Sequence, residues 1–452
     1  MRALGDRTHS RLAAPLVGVL AAIVLAAGLA TAAVRSDSDD GRATATAPAP
    51  QPGTTTTQAA PTTTRTTRVL PPEPAFIAEI RAAVAELRGL EWKEPLAVEV
   101  VSRSELVRRA RAANERDRRP DRLAGDGDTY RLLKVIPRQL DYAKALDDLV
   151  SGLILGFYDP KTKELVVRDS GGEVDVQTKI TVAHELDHAL TDQHFDFGTA
   201  TDALDQADRH EEVEAYVALI EGDAKLLEER YAERYLTEEE QIEYVLGGLV
   251  GSEEDLSPIL RLPPFMLGEL YFPYTVGLEF AEERAEDGDF AGLNETFRRP
   301  PVSTEQIIHP ERYESGQGWR PPELPDLAAA TSCQAVRRGT LGESTMGLVL
   351  DTYLGEAEAD AAANGWNGDT FQTVRCGRAL GMVERWEADT PADAARLAQA
   401  LTRWAGGWAG SGTSGGRFSG RGGSGRIVQS GTRVDLVLAD DAATADRLAG
   451  LL

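Results

Sequence analysis

A pair of histidines four positions apart, set in a stretch with helical periodicity, constrains this chain more tightly than any other feature of its 452 residues. The stretch is VQTKITVAHELDHALTDQHFD, from Val176, and the pair lies within His184-Glu185-Leu186-Asp187-His188. At about 100° per residue, Ile180, Val182, Ala183, Leu186, Ala189 and Leu190 share one broad apolar arc, while His184 and His188 lie about 40° apart outside it. Both imidazoles therefore occupy one helix face. Histidines at i and i+4 can reach a single zinc ion, and Glu185, next to the first, can approach water on the metal without ligating it.

A zinc ion with three protein ligands and one open position needs another side chain from elsewhere. The next helical segment, HEEVEAYVALIEGDAKLLEERYAERYL, offers His210, Glu211, Glu212, Glu214, Glu221 and Asp223. Glu214 and Glu221 are two turns apart on one stripe, about 20° from each other, so periodicity does not choose between them. Exposed acids on a charged helix are the alternative for both. Glu221-Gly222-Asp223-Ala224 is similar to the Glu-Gly-x-Ala element of gluzincin peptidases and stands 33 positions after His188. Gly222 and Ala224 would let this helix lie close to the H-E-x-x-H helix.

Together with GFYDPKTKELVV, FPYTVGLEF, STEQIIHPERY and GWNGDTFQ, these segments resemble a family of exported bacterial metallopeptidases of the gluzincin kind, from about Pro74 to Asp440. The resemblance implies a zincin-type catalytic fold with Zn2+ as cofactor, His184, His188 and Glu221 as metal ligands and Glu185 as general base. Glu214 is the alternative third ligand. Gluzincins often carry an Asp one turn beyond the ligand Glu to orient a zinc histidine; Lys225 stands there, which leaves that partner unassigned. His309, before Pro310, is a candidate catalytic donor to the oxyanion. A turn-capping role competes for it, and Tyr274 and Tyr313 compete as donors. His194 and His210 read as loop and helix-surface residues.

The rest of the chain sets the context. From Leu12 to Val34 no residue is charged, and Arg2, Arg7 and Arg11 precede the run. Such a segment can span a bilayer with the body outside, and Ala30-Thr31-Ala32 offers a cleavage site, so an anchor and a removed signal peptide both fit. Residues 1–35 are thus a transmembrane anchor or signal peptide, and 36–70, rich in Thr, Pro and Ala, a disordered stalk. The expected location is the cell membrane with an extracytoplasmic body, or secretion. Cys333 and Cys376 then lie where oxidation is favoured and are expected to form a disulfide.

The expected fold class is α+β: a zincin-like domain over 71–330, mostly helical with a small sheet, and an α+β accessory module over 331–452. GLILGFYDPKTKELVVRD reads as a hairpin around Asp159-Pro160-Lys161-Thr162, whose strand ending near Val167 is a candidate for pairing with extended substrate. In the accessory module, ALGMVERWEA and TRVDLVLA read as strands, each followed by a helix, in two weakly related units. GGWAGSGTSGGRFSGRGGSGR, from Gly406, reads as a flexible linker. A formal charge of −25 makes nucleic acid a poor partner. The expected partner is a peptide or protein substrate, with membrane contact through the N-terminal segment only and the oligomeric state open. The rival function is a non-catalytic cell-envelope binding protein that keeps the fold.

Overall fold

The computed structural model describes residues 73–172, 174–247, 259–285 and 289–452. The expected anchor or signal segment and the stalk lie outside them. Among the described residues no helix is long and apolar enough to cross a membrane. The architecture is mixed α+β, with helices predominating.

The first elements are α1 (Ala75–Arg88), β1 (Ala97–Val101), α2 (Arg103–Asp117), α3 (Pro120–Leu133) and α4 (Tyr142–Leu153). The hairpin follows as β2 (Gly156–Asp159) and β3 (Glu164–Arg168). Its turn is held by the Asp159 carboxylate, which accepts from Lys161 N at 2.9 Å. β1 pairs with β3 in parallel, so the strand order is β1-β3-β2. β3, which contains Val167, has a neighbour on both sides. This overturns its expected pairing with substrate, because the free edges belong to β1 and β2.

Helices α5 (Val176–Phe195), α6 (Phe197–Gln206), α7 (His210–Tyr235) and α8 (Glu238–Gly247) come next. Beyond a 3-10 turn at Ile259–Arg261 lie α9 (Pro264–Arg284), α10 (Ala291–Arg298), α11 (Thr304–Ile308), α12 (Pro310–Ser315) and α13 (Leu327–Thr331). α5 starts where the Asp175 side chain accepts from Thr178 N at 2.7 Å, a capping bond that satisfies one orphan donor. Its apolar arc is buried as the periodicity requires, but His184, Glu185 and His188 on the opposite side are buried too. A helix covered all round is a central one, and α7 supplies the cover on the histidine side. Gly222 was expected to bring α7 close to α5; instead it faces α9. A Cβ there would lie 2.1 Å from Gly277 O, and one on Gly277 would lie 2.3 Å from Ala218 O. The two glycines let α7 and α9 cross with backbones in contact.

The C-terminal part contains β4 (Gln334–Gly339), α14 (Gly342–Leu354), α15 (Glu356–Ala363), β5 (Trp366–Cys376), β6 (Ala379–Ala388), α16 (Pro391–Ala409), β7 (Thr413–Ser414), β8 (Arg417–Gly420), β9 (Gly423–Ser430), β10 (Arg433–Ala439) and α17 (Ala442–Ala449). Its antiparallel sheet has the order β4-β5-β6-β10-β9-β8-β7. Alternation along β10 sends Leu436 and Leu438 into a core with Leu397 and Trp404 of α16, and Val437 into a core with Leu448 of α17. The two weakly related strand–helix units therefore cover opposite faces of one sheet. The core under α16 also takes in Leu123, Leu132 and Leu133 of α3 and Tyr142 of α4. Cys333 and Cys376 are bonded to each other at the end of the β4–β5 pair.

The expected flexible linker from Gly406 is instead the end of α16 followed by β7, β8 and β9. Its glycines provide clearance: a Cβ on Gly425 would lie 2.1 Å from Val437 O, and Gly423 has φ 135°.

Glu384, in the interior strand β6, is 1% exposed, and neither carboxylate oxygen has a hydrogen-bond partner. Burial pushes its carboxyl well above the ordinary glutamate range, and repulsion from Asp369 adds to this. A raised folded-state value gives stability that is complete at low pH and is lost as pH rises towards that value. Glu384→Gln should therefore match the native protein below about pH 4.3 and resist denaturant increasingly better above it. Guanidinium midpoints across a pH series check this; an advantage that shrinks with rising pH contradicts it.

Candidate metal centre

α5 and α7 bring three potential ligands to one point. His184 Nε2 lies 3.3 Å, and His188 Nε2 3.4 Å, from Glu221 Oε2, and all three side chains are buried. Those separations are long for an N–H···O bond. His184 Nε2, His188 Nε2 and both Glu221 oxygens have no hydrogen-bond partner. Each buried polar atom left so costs roughly 1–3 kcal/mol, and a cation between them would remove that cost. The spacing agrees with one: ligand atoms about 2.0–2.2 Å from a tetrahedral ion stand about 3.4 Å apart. The residues present fit a divalent metal with an open fourth position.

Glu185 is buried beside this point. Its Oε2 accepts from Tyr158 N, on β2, at 2.7 Å, and its Oε1 has no partner. Burial raises its carboxyl to about 7, against the opposing pull of His188 and His184. Glu221 behaves oppositely: burial alone would raise it, but the two imidazoles hold it below the ordinary range.

The partner of His184 that the sequence left unassigned is Glu228. His184 Nδ1 lies 2.8 Å from Glu228 Oε1, and Lys225 Nζ donates to Glu228 Oε2 at 2.6 Å. Although burial opposes it, the Lys225 charge with the two hydrogen bonds holds the Glu228 carboxyl down at about 2, so the carboxylate can only accept. In the neutral ring the His184 proton then sits on Nδ1, which leaves the Nε2 lone pair to a metal. The lysine where an aspartate was expected thus serves the carboxylate one turn further on. A sequence signal existed: Glu214, Glu221 and Glu228 recur every seven residues on one stripe.

Behind the ligands, the buried guanidinium of Arg88 on α1 bonds Asp223 of α7, approaches Asp187 of α5 at 3.4 Å and donates to Asn294 of α10 at 2.9 Å. Phe290 covers it at 4.5 Å. Asp187 and Asp223 occupy variable positions of the two ligand motifs. Sequence reasoning missed Arg88, since one arginine at the end of an amphipathic helix has no local signature.

The other candidates part company here. Glu214 is outside the ligand cluster and lines a cleft of about 180 Å³ that contains none of the three ligands. Tyr274 is 3% exposed; its hydroxyl has no hydrogen-bond partner, and burial with the nearby Glu221 and Glu185 charges raises its phenol well above the usual value. His309 joins α11 to α12, with Nε2 2.8 Å from Glu343 and Nδ1 4.0 Å from Glu311, both outside the ligand set. Tyr313 donates its hydroxyl to Arg299 O at 2.9 Å. His194 Nε2 meets Glu91 O at 2.8 Å. His210, expected on the helix surface, is 7% exposed because its ring sits between Arg122 and Asp208.

Residues 331–449 match a family model described as a domain of unknown function (DUF8575). The match covers the C-terminal sheet and leaves out the ligand cluster. No curated protein and no solved structure matches the chain.

Two substitutions probe the supports of the centre. Glu228→Gln should keep the fold and weaken zinc binding by about 10–100-fold, as measured by chelator competition; unchanged affinity contradicts the orienting role. Arg88→Met leaves two acids buried without their cation and should lower unfolding free energy by roughly 3–5 kcal/mol. Denaturant titration checks it, and a loss under about 1 kcal/mol contradicts the clamp.

Proposed function

We propose that this chain is a zinc-dependent peptidase whose N-terminal part is zincin-like, with His184, His188 and Glu221 as ligands. One observation carries the reading: three buried ligand residues, with the unpartnered Nε2 atoms of His184 and His188 3.3 and 3.4 Å from an unpartnered Glu221 oxygen, stand beside a glutamate with one oxygen pinned and the other free. The uncharged run ahead of residue 35 supports an extracytoplasmic body, as a membrane-anchored or secreted protein.

When bound, zinc supplies a Lewis acid and acidifies water towards a pKa of about 7. Glu185 Oε1 would take the proton of the attacking water, while Tyr158 N–H on Oε2 keeps the carboxylate aimed. Glu185 then passes the proton to the leaving amine. Tyr274 donates its hydroxyl to the developing oxyanion, the role that the sequence offered first to His309. Glu228 holds the His184 ring in its metal-facing tautomer throughout.

A non-catalytic binding protein would need the ligands but not a poised base. Glu185→Gln should retain stoichiometric zinc and lose about 10²–10⁴-fold in peptide hydrolysis. Glu221→Ala should release zinc in a chelator titration, whereas Glu214→Ala should keep it. Full hydrolysis by the Glu185→Gln protein, or zinc loss from Glu214→Ala alone, sinks the assignment. A zinc-loaded wild type that cleaves no peptide in a diverse library favours the binding protein.

A further inference from the structure

The cleft next to the metal centre, bordered by α3, α4, α7, α9 and α14, holds two carboxylates that nothing above employs: Glu214 of α7 and Glu269 of α9. Glu214 has no hydrogen-bond or ion-pair partner among the described residues. Glu269 has the Tyr130 hydroxyl, at 3.2 Å, and no cation. The positive groups on the same wall make their bonds elsewhere, although the Arg122 and Arg337 charges still pull the Glu214 carboxyl down in part. Arg337 bonds Asp126 at 2.6 Å, and Arg122 bonds Asp205 at 3.2 Å and His210 Nδ1 at 2.6 Å.

Glu214 is open to water, yet loss of bulk solvent raises its carboxyl to about 7. Both are true of a side chain whose water lies within the cleft. Glu269 is held well above its ordinary range by burial and then by repulsion from Glu214. The backbone adds to the deficit of donors: Pro273 lies inside α9 and has no N–H for the carbonyl of Glu269, one turn back. Tyr142, Met266, Phe272 and Phe371 supply large apolar and aromatic walls, and threonine and serine hydroxyls line the rest.

Acids with no bonded cation, beside large apolar walls, suit a cation carried on an apolar stem. The volume of about 180 Å³ falls below the roughly 300–1,000 Å³ of pockets that enclose a whole small molecule. That is space for several waters and for one long side chain. The position is equally specific. Val217 lines the cleft, and Glu221 follows one turn later on the same helix, about 6 Å along its axis. Pro273 also lines it, and Tyr274 is the next residue. A side chain close to the bond being cut can span that gap.

We propose that the cleft is the subsite for one lysine or arginine side chain of the peptide cleaved at the metal centre. Its position in a reaction rests on the peptidase reading, whereas its ligand chemistry does not. Calorimetric titration of the full chain in detergent with Nα-acetyl-lysine methylamide, against the Nε-acetylated counterpart, tests the cation without turnover. The charged compound should bind at least tenfold more tightly, and Glu214→Gln/Glu269→Gln should close that gap. Equal affinity for the two compounds, or a gap that survives the double substitution, overturns the proposal. Digestion of a peptide library by the zinc-loaded protein then locates the subsite: a basic residue should be enriched at one fixed distance from the cut, and the double variant should lose that enrichment. Cleavage without a basic preference overturns the subsite while sparing the peptidase reading. Lysine binding with no cleavage of any peptide overturns both the peptidase reading and the peptide assignment, and leaves a cation pocket.

Discussion

The buried guanidinium of Arg88 is the interaction on which the arrangement of the centre depends. Three helices meet at it, through Asp187 of α5, Asp223 of α7 and Asn294 of α10. The two aspartates sit inside the two ligand motifs, so the bonds that hold α5 against α7 are made within a turn of the atoms that must converge. A solvated pair there would be worth little. In a dry interior the same charges cannot be left apart without a large penalty, and this makes the helix separation sharply defined. The imidazole-to-carboxylate spacings follow from that separation.

On α7 one stripe of glutamates has three different environments. Glu214 faces the cleft and bonds no cation; Glu221 faces two imidazoles; Glu228 lies between His184 and Lys225. The residue type and the helix face are the same in all three. Their protonation differs because of what stands opposite: solvent loss alone raises a carboxyl, whereas a nearby cation or imidazole lowers it. The crossing of α7 with α9 at Gly222 and Gly277 brings Tyr274 to the ligand side and Glu269 to the cleft, so one contact between backbones serves both places.

The C-terminal sheet is joined to this assembly by buried polar contacts as well as by shared core. Glu211, near the start of α7, accepts from Thr304 N at 2.6 Å and from Thr304 Oγ1 at 2.7 Å. Gly342, at the start of α14, has φ 74°, and a Cβ there would strike the Glu211 carboxylate. The helix that carries Glu221 is therefore braced at its N-terminal end by segments from the far side of the chain.

Local pattern was enough for several features. The i, i+4 histidines and the arc beside them specified α5 and the shared face of His184 and His188, because side-chain direction on a helix follows from its pitch. Asp159-Pro160 specified the β2–β3 turn through its own backbone bonds. Other features required the tertiary structure. The orienting role passed to Glu228, whose reach to His184 depends on the α5–α7 separation and on Lys225. Tyr274 rather than Tyr313 or His309 came to lie with Glu221 and Glu185, a choice made by the α7–α9 crossing. Arg88, about one hundred residues before His188, could be linked to the centre only by long-range packing. The glycine-rich segment after Gly406 looked like a linker because composition records freedom of the backbone; in the folded chain that freedom is spent on strands that approach too closely for a Cβ.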